Sequence, residues 1–249
     1  MKSRKADPLT NPPLAYKDEK FLDSDEARPI RILAEYLEPL RILCREQVHE
    51  TIVFFGSARL RADGPLGRYY QEARELARLI TIWSKSLSSD VHRYVVCSGG
   101  GSGIMEAANR GAFDIGAKSV GLNINLPHEQ YPNPYITPEL CYNFHYFAMR
   151  KLHFLLRAKA LVTFPGGYGT FDELFEVLTL VQTRKIKPIP VVLVGESYWR
   201  RAVDLDFLVE EGVIDQEDRE LFWFAETAQE IWHGILRWHE INGEPLIVP

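Results

Sequence analysis

Residues 160–173 decide the fold of this chain, and they read ALVTFPGGYGTFDE. The first five residues have the apolar, β-branched composition of a short buried strand, and a helical pattern with acidic residues begins after the glycine-rich turn. Glycines after a strand let a ligand approach the backbone, and the first N–H groups of a helix are free to bind an anion. The stretch therefore predicts a strand, turn and helix that hold a phosphate-like anion next to the carboxylate of Glu173.

The same arrangement occurs twice earlier in the chain. A predicted strand at residues 94–97 is followed by the glycine cluster 98–103, and another at residues 51–55 is followed by Gly56 and Ser57. Because the carboxyl ends of parallel strands lie along one edge of a sheet, the three loops are expected to converge there. We therefore predict one shared crevice for one ligand.

Predicted strands and helices alternate through most of the sequence. The strands are expected at residues 51–55, 94–97, 119–124, 160–164 and 189–194, and the helices at residues 69–86, 104–115, 147–157, 171–183, 200–210 and 228–242. Buried strands that alternate with helices are typical of a parallel sheet covered on both faces. We expect an α/β fold with a Rossmann-like, doubly wound parallel sheet in a single domain.

The N-terminal part of the chain has a different character. Residues 1–29 are charged and contain prolines, so we predict a loose arm there and the Rossmann-like domain at residues 30–249. Apolar residues at helical spacing predict a helix over residues 30–47, which Pro39 should kink or break. The turn-rich segment 126–142 is predicted either to border a base-binding pocket or to be a plain surface loop.

Composition limits the partners and the compartment. The chain has 249 residues, a hydrophobic fraction of 46% and a net charge of −5, so it lacks the basic surface that general nucleic-acid or membrane binders need. Cys44, Cys97 and Cys141 are too scattered for a disulfide framework or a CxxC metal site. With no apolar run long enough to span a bilayer and no secretion signal, we predict a cytoplasmic protein that binds neither nucleic acid nor membrane.

Common nucleotide signatures do not fit the glycine clusters. Residues 99–103 lack the third glycine of G-x-G-x-x-G, and no acidic residue stands at the ribose-binding distance downstream, which disfavours NAD. No Gly-Lys-Ser or Gly-Lys-Thr follows any glycine run, so a Walker A loop is excluded. No His or Cys pair has metal-ligand spacing, so we predict neither zinc nor another cofactor. A small monophosphate held by backbone N–H groups remains.

These motifs carry a family resemblance. Residues 165–173 match the complete PGGxGTxxE motif of the Lonely Guy (LOG) family of nucleoside 5′-monophosphate phosphoribohydrolases, once labelled lysine decarboxylases. Residues 98–105, SGGGSGIM, resemble the family's GGGxxGLM-type loop, and Gly56-Ser57 resembles its first-strand GS. Met149-Arg150-Lys151 resembles its M-x-x-R-K element with altered spacing. Together the elements cover residues 51–215 in the family's order.

The resemblance implies an activity and a set of site residues. The reaction would be hydrolysis of the N-glycosidic bond of a nucleoside 5′-monophosphate, with AMP as the generic substrate and N6-substituted adenine (cytokinin) nucleotides as a narrower one. Arg150 and Glu173 would be catalytic. The substrate-binding residues would be Gly56, Ser57, Ser98, Gly99, Gly100, Gly101, Met149, Lys151, Gly166, Gly167, Gly169, Thr170 and Glu176. The resemblance also implies a homodimer or higher homo-oligomer.

Several assignments have a purely structural alternative. Thr170 to Glu173 fits a capping box, in which Glu173 reaches back to the first turn of its helix. Arg150 also fits a solvated position on the surface of a helix. The position of Glu176 is explained equally well by a polar helix face and by a place in the site. At the level of the whole protein, a nucleotide-binding or carrier protein without catalysis is the alternative to an enzyme.

Overall fold

The computed structural model describes residues 11–87, 92–126, 131–243 and 246. Within these residues, seven parallel strands form one sheet in the order β4-β3-β2-β1-β5-β6-β7. The strands are β1 (Thr51–Phe55), β2 (Val95–Ser98), β3 (Ser119–Ile124), β4 (Cys141–Phe144), β5 (Ala158–Thr163), β6 (Val191–Val194) and β7 (Trp223–Ala225). The five predicted strands are confirmed to within two residues, whereas the short β4 and β7 were not predicted.

Helices connect the strands on both faces of the sheet. They are α1 (Glu19–Leu22), α2 (Arg28–Arg45), α3 (Gly67–Ser86), α4 (Ile104–Phe113), α5 (Phe147–Leu155), α6 (Tyr168–Gln182), α7 (Glu196–Ala202), α8 (Leu205–Glu210) and α9 (Ala228–Ile241). None of the helices in the described residues combines the length and the hydrophobicity that crossing a membrane requires. The predicted helix 200–210 is wrong as a single element, because Asp204 separates α7 from α8 and caps the second with a bond from the Phe207 amide.

Alternate residues of each strand supply two apolar cores. Along β1, Ile52 and Phe54 pack in the core under α3, α4 and α9, while Val53 and Phe55 pack in the core on the opposite face under α5 and α6. Every residue of β1 is buried, as expected of a central strand in a parallel sheet. The doubly wound, Rossmann-like α/β fold in a single domain is therefore confirmed.

The helix over residues 30–47 was expected to be kinked or broken at Pro39, and it is not broken, since α2 runs without interruption from Arg28 to Arg45. Proline has no N–H, so the carbonyl of Glu35, four residues earlier, loses its helical donor. His153 of α5 replaces that donor, because its Nε2 lies 2.9 Å from the Glu35 carbonyl oxygen. The Glu35 carboxylate also accepts hydrogen bonds from the backbone N–H groups of His145 and Tyr146, just before α5. Contacts from another helix thus complete α2.

The predicted N-terminal arm is only partly described, since residues 1–10 lie outside the described residues. The remainder contains a 3₁₀ turn at Ala15–Lys17 and the short α1. The Arg31 guanidinium donates to the carbonyls of Leu22 and Ser24, which ties this segment to α2. In the segment 126–142, residues 127–130 are likewise outside the described part.

The strand order reverses direction beside β1. Strands β2, β3 and β4 extend the sheet on one side of β1, and β5, β6 and β7 extend it on the other. The loops after β1 and β5 consequently leave the sheet on opposite faces and open a crevice at the carboxyl ends of the strands. This crevice is where the glycine-rich loops were predicted to converge.

Candidate active site

A cleft of about 1130 Å³ lies over the carboxyl ends of β1, β2, β3 and β5. It brings together residues from all three predicted glycine loops. The predicted site residues on its lining are Gly56, Ser57, Gly99, Arg150, Gly166, Gly167, Gly169, Thr170 and Glu173. The two predicted catalytic side chains and residues 166–170 of the glycine-rich turn therefore line one cavity.

The PGGYG turn leads directly into α6. Gly166 is buried, and a methyl group on it would collide with the Thr170 side chain. Methyl groups on Gly167 and Gly169 would meet nothing within 4 Å, and neither residue has a positive φ. The fold itself therefore does not require glycine at these two positions. Their missing side chains instead leave the first amides of α6 accessible to an anion in the cleft.

The capping alternative for Glu173 does not match this geometry. Helix α6 begins at Tyr168, not at residue 171 as predicted, so Thr170 lies inside its first turn. Gly167 is the N-cap residue, and no side chain caps the helix. The Glu173 carboxylate is thus not held by a reciprocal cap and is available for other contacts.

Glu173 and Arg150 form a buried pair on the lining of the cleft. Arg150 Nη1 lies 3.7 Å from Glu173 Oε1, and their side chains are 12% and 8% exposed. Arg150 Nε donates to the Leu122 carbonyl at 2.7 Å, and its guanidinium lies 5.1 Å from the centre of the Phe154 ring. A methyl group on Gly99 would lie 2.5 Å from Arg150 Nη2. Arg150 is therefore not a solvated helix residue, and its terminal nitrogens remain near the cleft.

Burial shifts the pKa of both groups. It raises the pKa of the Glu173 carboxyl from 4.5 to about 7, against the opposing effect of the positive charges of Arg150 and Lys151. Burial also lowers the pKa of the Arg150 guanidinium, an effect that Glu173 opposes. A carboxyl with a pKa near neutrality, in a cleft and beside a cation, is a typical candidate for acid–base or electrostatic catalysis.

Six of the predicted substrate-binding residues lie beside the cleft and not on its lining: Ser98, Gly100, Gly101, Met149, Lys151 and Glu176. Lys151 is engaged elsewhere, since its Nζ lies 2.8 Å from Asp172 and 3.1 Å from Glu176. These ion pairs join α5 to α6. Met149 packs against the core beneath α5.

The second glycine loop is held from behind by a buried amide network. Ser98 Oγ donates a hydrogen bond to Asn109 Oδ1 and accepts one from the Gly100 amide N–H. Asn133 Nδ2 donates to the carbonyls of Gly100 and Gly101 at 3.1 and 3.0 Å. Residues Ser98, Gly100 and Gly101 thus fix the position of Gly99, which does face the cleft.

Sequence reasoning missed several residues of the lining. Beyond the motifs, the cleft is bordered by Arg59, Met105, Asn123, Leu126, Phe147, Phe175 and Tyr198, among others. Leu126 begins the segment that was predicted either to border a base pocket or to form a surface loop, and it borders the cleft. Tyr198 donates its hydroxyl to the Gly166 carbonyl at 2.5 Å and so fixes the PGGYG turn from α7. A lone tyrosine after the last predicted strand carried no signal of this role.

The fold and the cleft together define a class of protein. It is a Rossmann-like α/β protein in which a glycine-rich loop at a helix N-terminus adjoins a buried carboxylate and guanidinium. Within the described ranges, no group of three or more His, Cys, Asp or Glu side chains is arranged to hold a metal ion.

The chain belongs to the family described as "Possible lysine decarboxylase", whose model matches residues 105–235. A rice protein (Oryza sativa subsp. japonica), "Probable cytokinin riboside 5'-monophosphate phosphoribohydrolase LOGL3", is 29% identical over 73% of this chain and 80% of its own length. The Arabidopsis thaliana protein "Cytokinin riboside 5'-monophosphate phosphoribohydrolase LOG3" is 31% identical over 55% of this chain and 64% of its own length. The predicted resemblance to the LOG family is thus confirmed.

A solved structure supports the fold independently. The X-ray structure of TM1055 aligns with a TM-score of 0.54 at 22% identity and covers 76% of this chain and 99% of its own. At this identity the similarity concerns the arrangement of the strands and helices alone.

Proposed function

We propose that this protein hydrolyses the N-glycosidic bond of a nucleoside 5′-monophosphate and releases a free base and ribose 5-phosphate. One observation carries the proposal: the buried pair of Glu173 and Arg150 lies in the same cleft as a glycine turn whose amides are open to an anion. The curated names of the rice and Arabidopsis relatives describe the same reaction type on cytokinin riboside 5′-monophosphates.

The phosphate anchors the substrate in the cleft. The amides at the start of α6, around Gly167 and Gly169, bind it with the help of the helix dipole. Because the phosphate does not react, its binding energy is available to hold the pentose in position for attack. Gly166 and Tyr198 support this loop from the protein side.

The chemical step requires stabilisation of a cationic sugar. Water forms a bond to the anomeric carbon while the carbon–nitrogen bond breaks, and the electron pair of that bond leaves with the base, which takes up a proton. Positive charge develops on the pentose as the bond breaks. The ionised Glu173 carboxylate stabilises that charge or removes the proton of the attacking water.

Arg150 has two roles open to it from sequence, to bind the phosphate or to assist the departing base. Its contacts favour the second role, since it touches β3 through the Leu122 carbonyl and approaches Gly99 after β2. No hydrogen bond or ion pair joins it to the described residues of the PGGYG turn. We assign Arg150 to the base side of Glu173, where its positive charge supports the leaving group and keeps part of the carboxyl population ionised.

The older decarboxylase description does not fit this cleft. Amino-acid decarboxylation through pyridoxal phosphate needs a lysine that forms a Schiff base. No lysine of the described residues lines the cavity, and Lys151 is paired to two carboxylates.

The direct test is incubation with AMP, followed by chromatography for adenine and an enzymatic assay for ribose 5-phosphate. The Glu173→Gln variant should lose turnover on the order of 100-fold or more while still binding nucleotide. Asp172→Asn is the matched control, because this neighbouring acid is exposed and lies outside the cleft lining. Tight AMP binding without product in the parent protein would instead support a carrier or binding protein.

A further inference from the structure

Asn123 is a buried amide that the proposed mechanism does not use. It lies at the end of β3, is 5% exposed and lines the cleft. Its Nδ2 donates to the Tyr142 carbonyl at 3.0 Å and approaches the Gly121 carbonyl at 3.4 Å. Because both partners are acceptors, the amide cannot rotate by 180° without placing oxygen against oxygen. The orientation of the side chain is therefore fixed.

The other half of the amide has no such partner. Among the described residues, no donor lies within hydrogen-bond distance of Asn123 Oδ1. Gly100 packs against the same amide with a φ of 75°, and a methyl group there would collide with it. The chain thus uses a glycine to make room for this side chain but supplies no donor to its oxygen. The oxygen is not one of the buried polar atoms that lack a partner, so it is accessible from the cleft that Asn123 lines, and a ligand that donates to it gains a hydrogen bond.

The position of Asn123 identifies the part of the ligand that reaches it. Strand β3 is three strands away from β5, which is on the order of 14 Å at the usual strand spacing. The phosphate loop follows β5, and Arg150 lies between, in contact with Leu122 of β3 and with Glu173. Asn123 is thus on the far side of the catalytic pair from the phosphate. In a nucleoside monophosphate that is the position of the base.

The surroundings of Asn123 suit a planar ring. Met105, Leu126 and Phe147 line the same cleft as Asn123, and Ile124 follows Asn123 on the strand. Apolar neighbours exclude competing water, which makes the match of donors and acceptors on the ring edge more decisive.

We propose that Asn123 is a specificity-determining residue that accepts a hydrogen bond from an exocyclic amino group of the base. The inference rests on the proposed function and narrows its substrate class to nucleotides with an amino-bearing base such as adenine. An N6-substituted adenine keeps one N–H and so remains compatible. A base with a carbonyl oxygen at that position places two acceptors face to face in a buried site, which the site rejects.

The test compares four substrates on the parent protein: AMP, IMP, purine riboside 5′-monophosphate and 2′-deoxy-AMP. We expect kcat/KM for AMP to exceed that for IMP and for purine riboside 5′-monophosphate by roughly tenfold or more. Similar values for the three ribonucleotides would overturn the assignment, and this comparison needs no variant.

The variant Asn123→Leu then tests whether Asn123 is the source of the preference for AMP over IMP. It should bring the ratio of AMP to IMP close to one, while inhibition by ribose 5-phosphate stays at the parent value. Asn143→Leu is the matched control, because Asn143 is the exposed register partner of Asn123 on β4 and lies outside the cleft lining. Thermal melting checks that each variant folds. If Asn123→Leu keeps the AMP preference, or loses preference for ribose over deoxyribose instead, the inference is wrong.

The two proposals fail in different ways. If the parent protein cleaves no nucleotide, the proposed function is wrong, and calorimetric affinities for AMP and IMP then test Asn123 alone. Equal affinities for these two ligands would show that Asn123 does not select the base.

Discussion

Replacing Glu173 by glutamine should change how the stability of the protein depends on pH. Glu173 is 6% exposed, and burial raises the pKa of its carboxyl from 4.5 to about 7. Between these values the folded protein holds a proton that the unfolded chain has released. The free energy of unfolding therefore falls as the pH rises through this window. Below the window both states are protonated, so the destabilisation is absent there.

The size of the effect follows from the two pKa values. Each pKa unit corresponds to about 1.4 kcal/mol, so ionisation of Glu173 removes about 3 kcal/mol from the folded state above neutral pH. Glutamine has a similar shape and no charge. Below the window the protonated carboxyl of the parent is neutral like glutamine, and the attraction of Arg150 for the ionised carboxylate is already part of the pKa of about 7. The difference between variant and parent should therefore shift by about 3 kcal/mol in favour of the variant from about pH 4.5 to about pH 8.

Urea unfolding of both proteins at several pH values measures this shift. The Asp172→Asn control keeps Glu173 and should retain the parent's decline with pH, since Asp172 is exposed and pairs with Lys151. A difference between Glu173→Gln and parent that is the same at both ends of the pH range would refute a raised pKa for Glu173. In that case the carboxylate would be fully ionised at neutral pH, and its burial would be compensated by Arg150.

Three further predictions concern other parts of the structure. Gly169→Ala should stabilise α6 by up to about 1 kcal/mol in thermal or urea unfolding yet weaken nucleotide binding, because the new methyl group enters open space beside the anion site; lower stability would contradict this. His153→Leu should cost about 1–3 kcal/mol by leaving a buried carbonyl without a donor, and adding Pro39→Ala should restore most of that loss by supplying the helical N–H. Additive effects in that double-mutant cycle would disprove the replacement of one donor by the other. Tyr198→Phe should raise KM with little loss of stability, since the hydroxyl of Tyr198 fixes the glycine turn. Unchanged steady-state kinetics would show that the turn is rigid without this hydrogen bond.

Local patterns were enough to predict the fold. Apolar strand runs such as Val191–Val194 and the glycines that follow three of the strands are signals within a few residues of sequence, and the α/β order follows from them. The strands that were missed, Cys141–Phe144 and Trp223–Ala225, are edge strands of four and three residues. Their pairing partners, not their own composition, make them strands.

Which residues line the cleft was predictable where one motif supplies them and not where distant residues meet. Glu173 and Gly166, Gly167 and Gly169 belong to one continuous motif, and they line the cleft. The start of α6 was misplaced by three residues because the apolar pattern begins at Phe171, after the glycines. The orientation of Asn123 depends on a carbonyl of β4 that sequence spacing does not reveal.

The proline within α2 affects the order in which α2 and α5 become stable during folding. Helices usually close their own hydrogen bonds within a few residues, but α2 needs a donor that lies 118 positions later. During synthesis from the amino terminus, this helix leaves the ribosome well before its missing donor. We therefore expect α2 to acquire protection from hydrogen exchange only after α5 has been made and has docked.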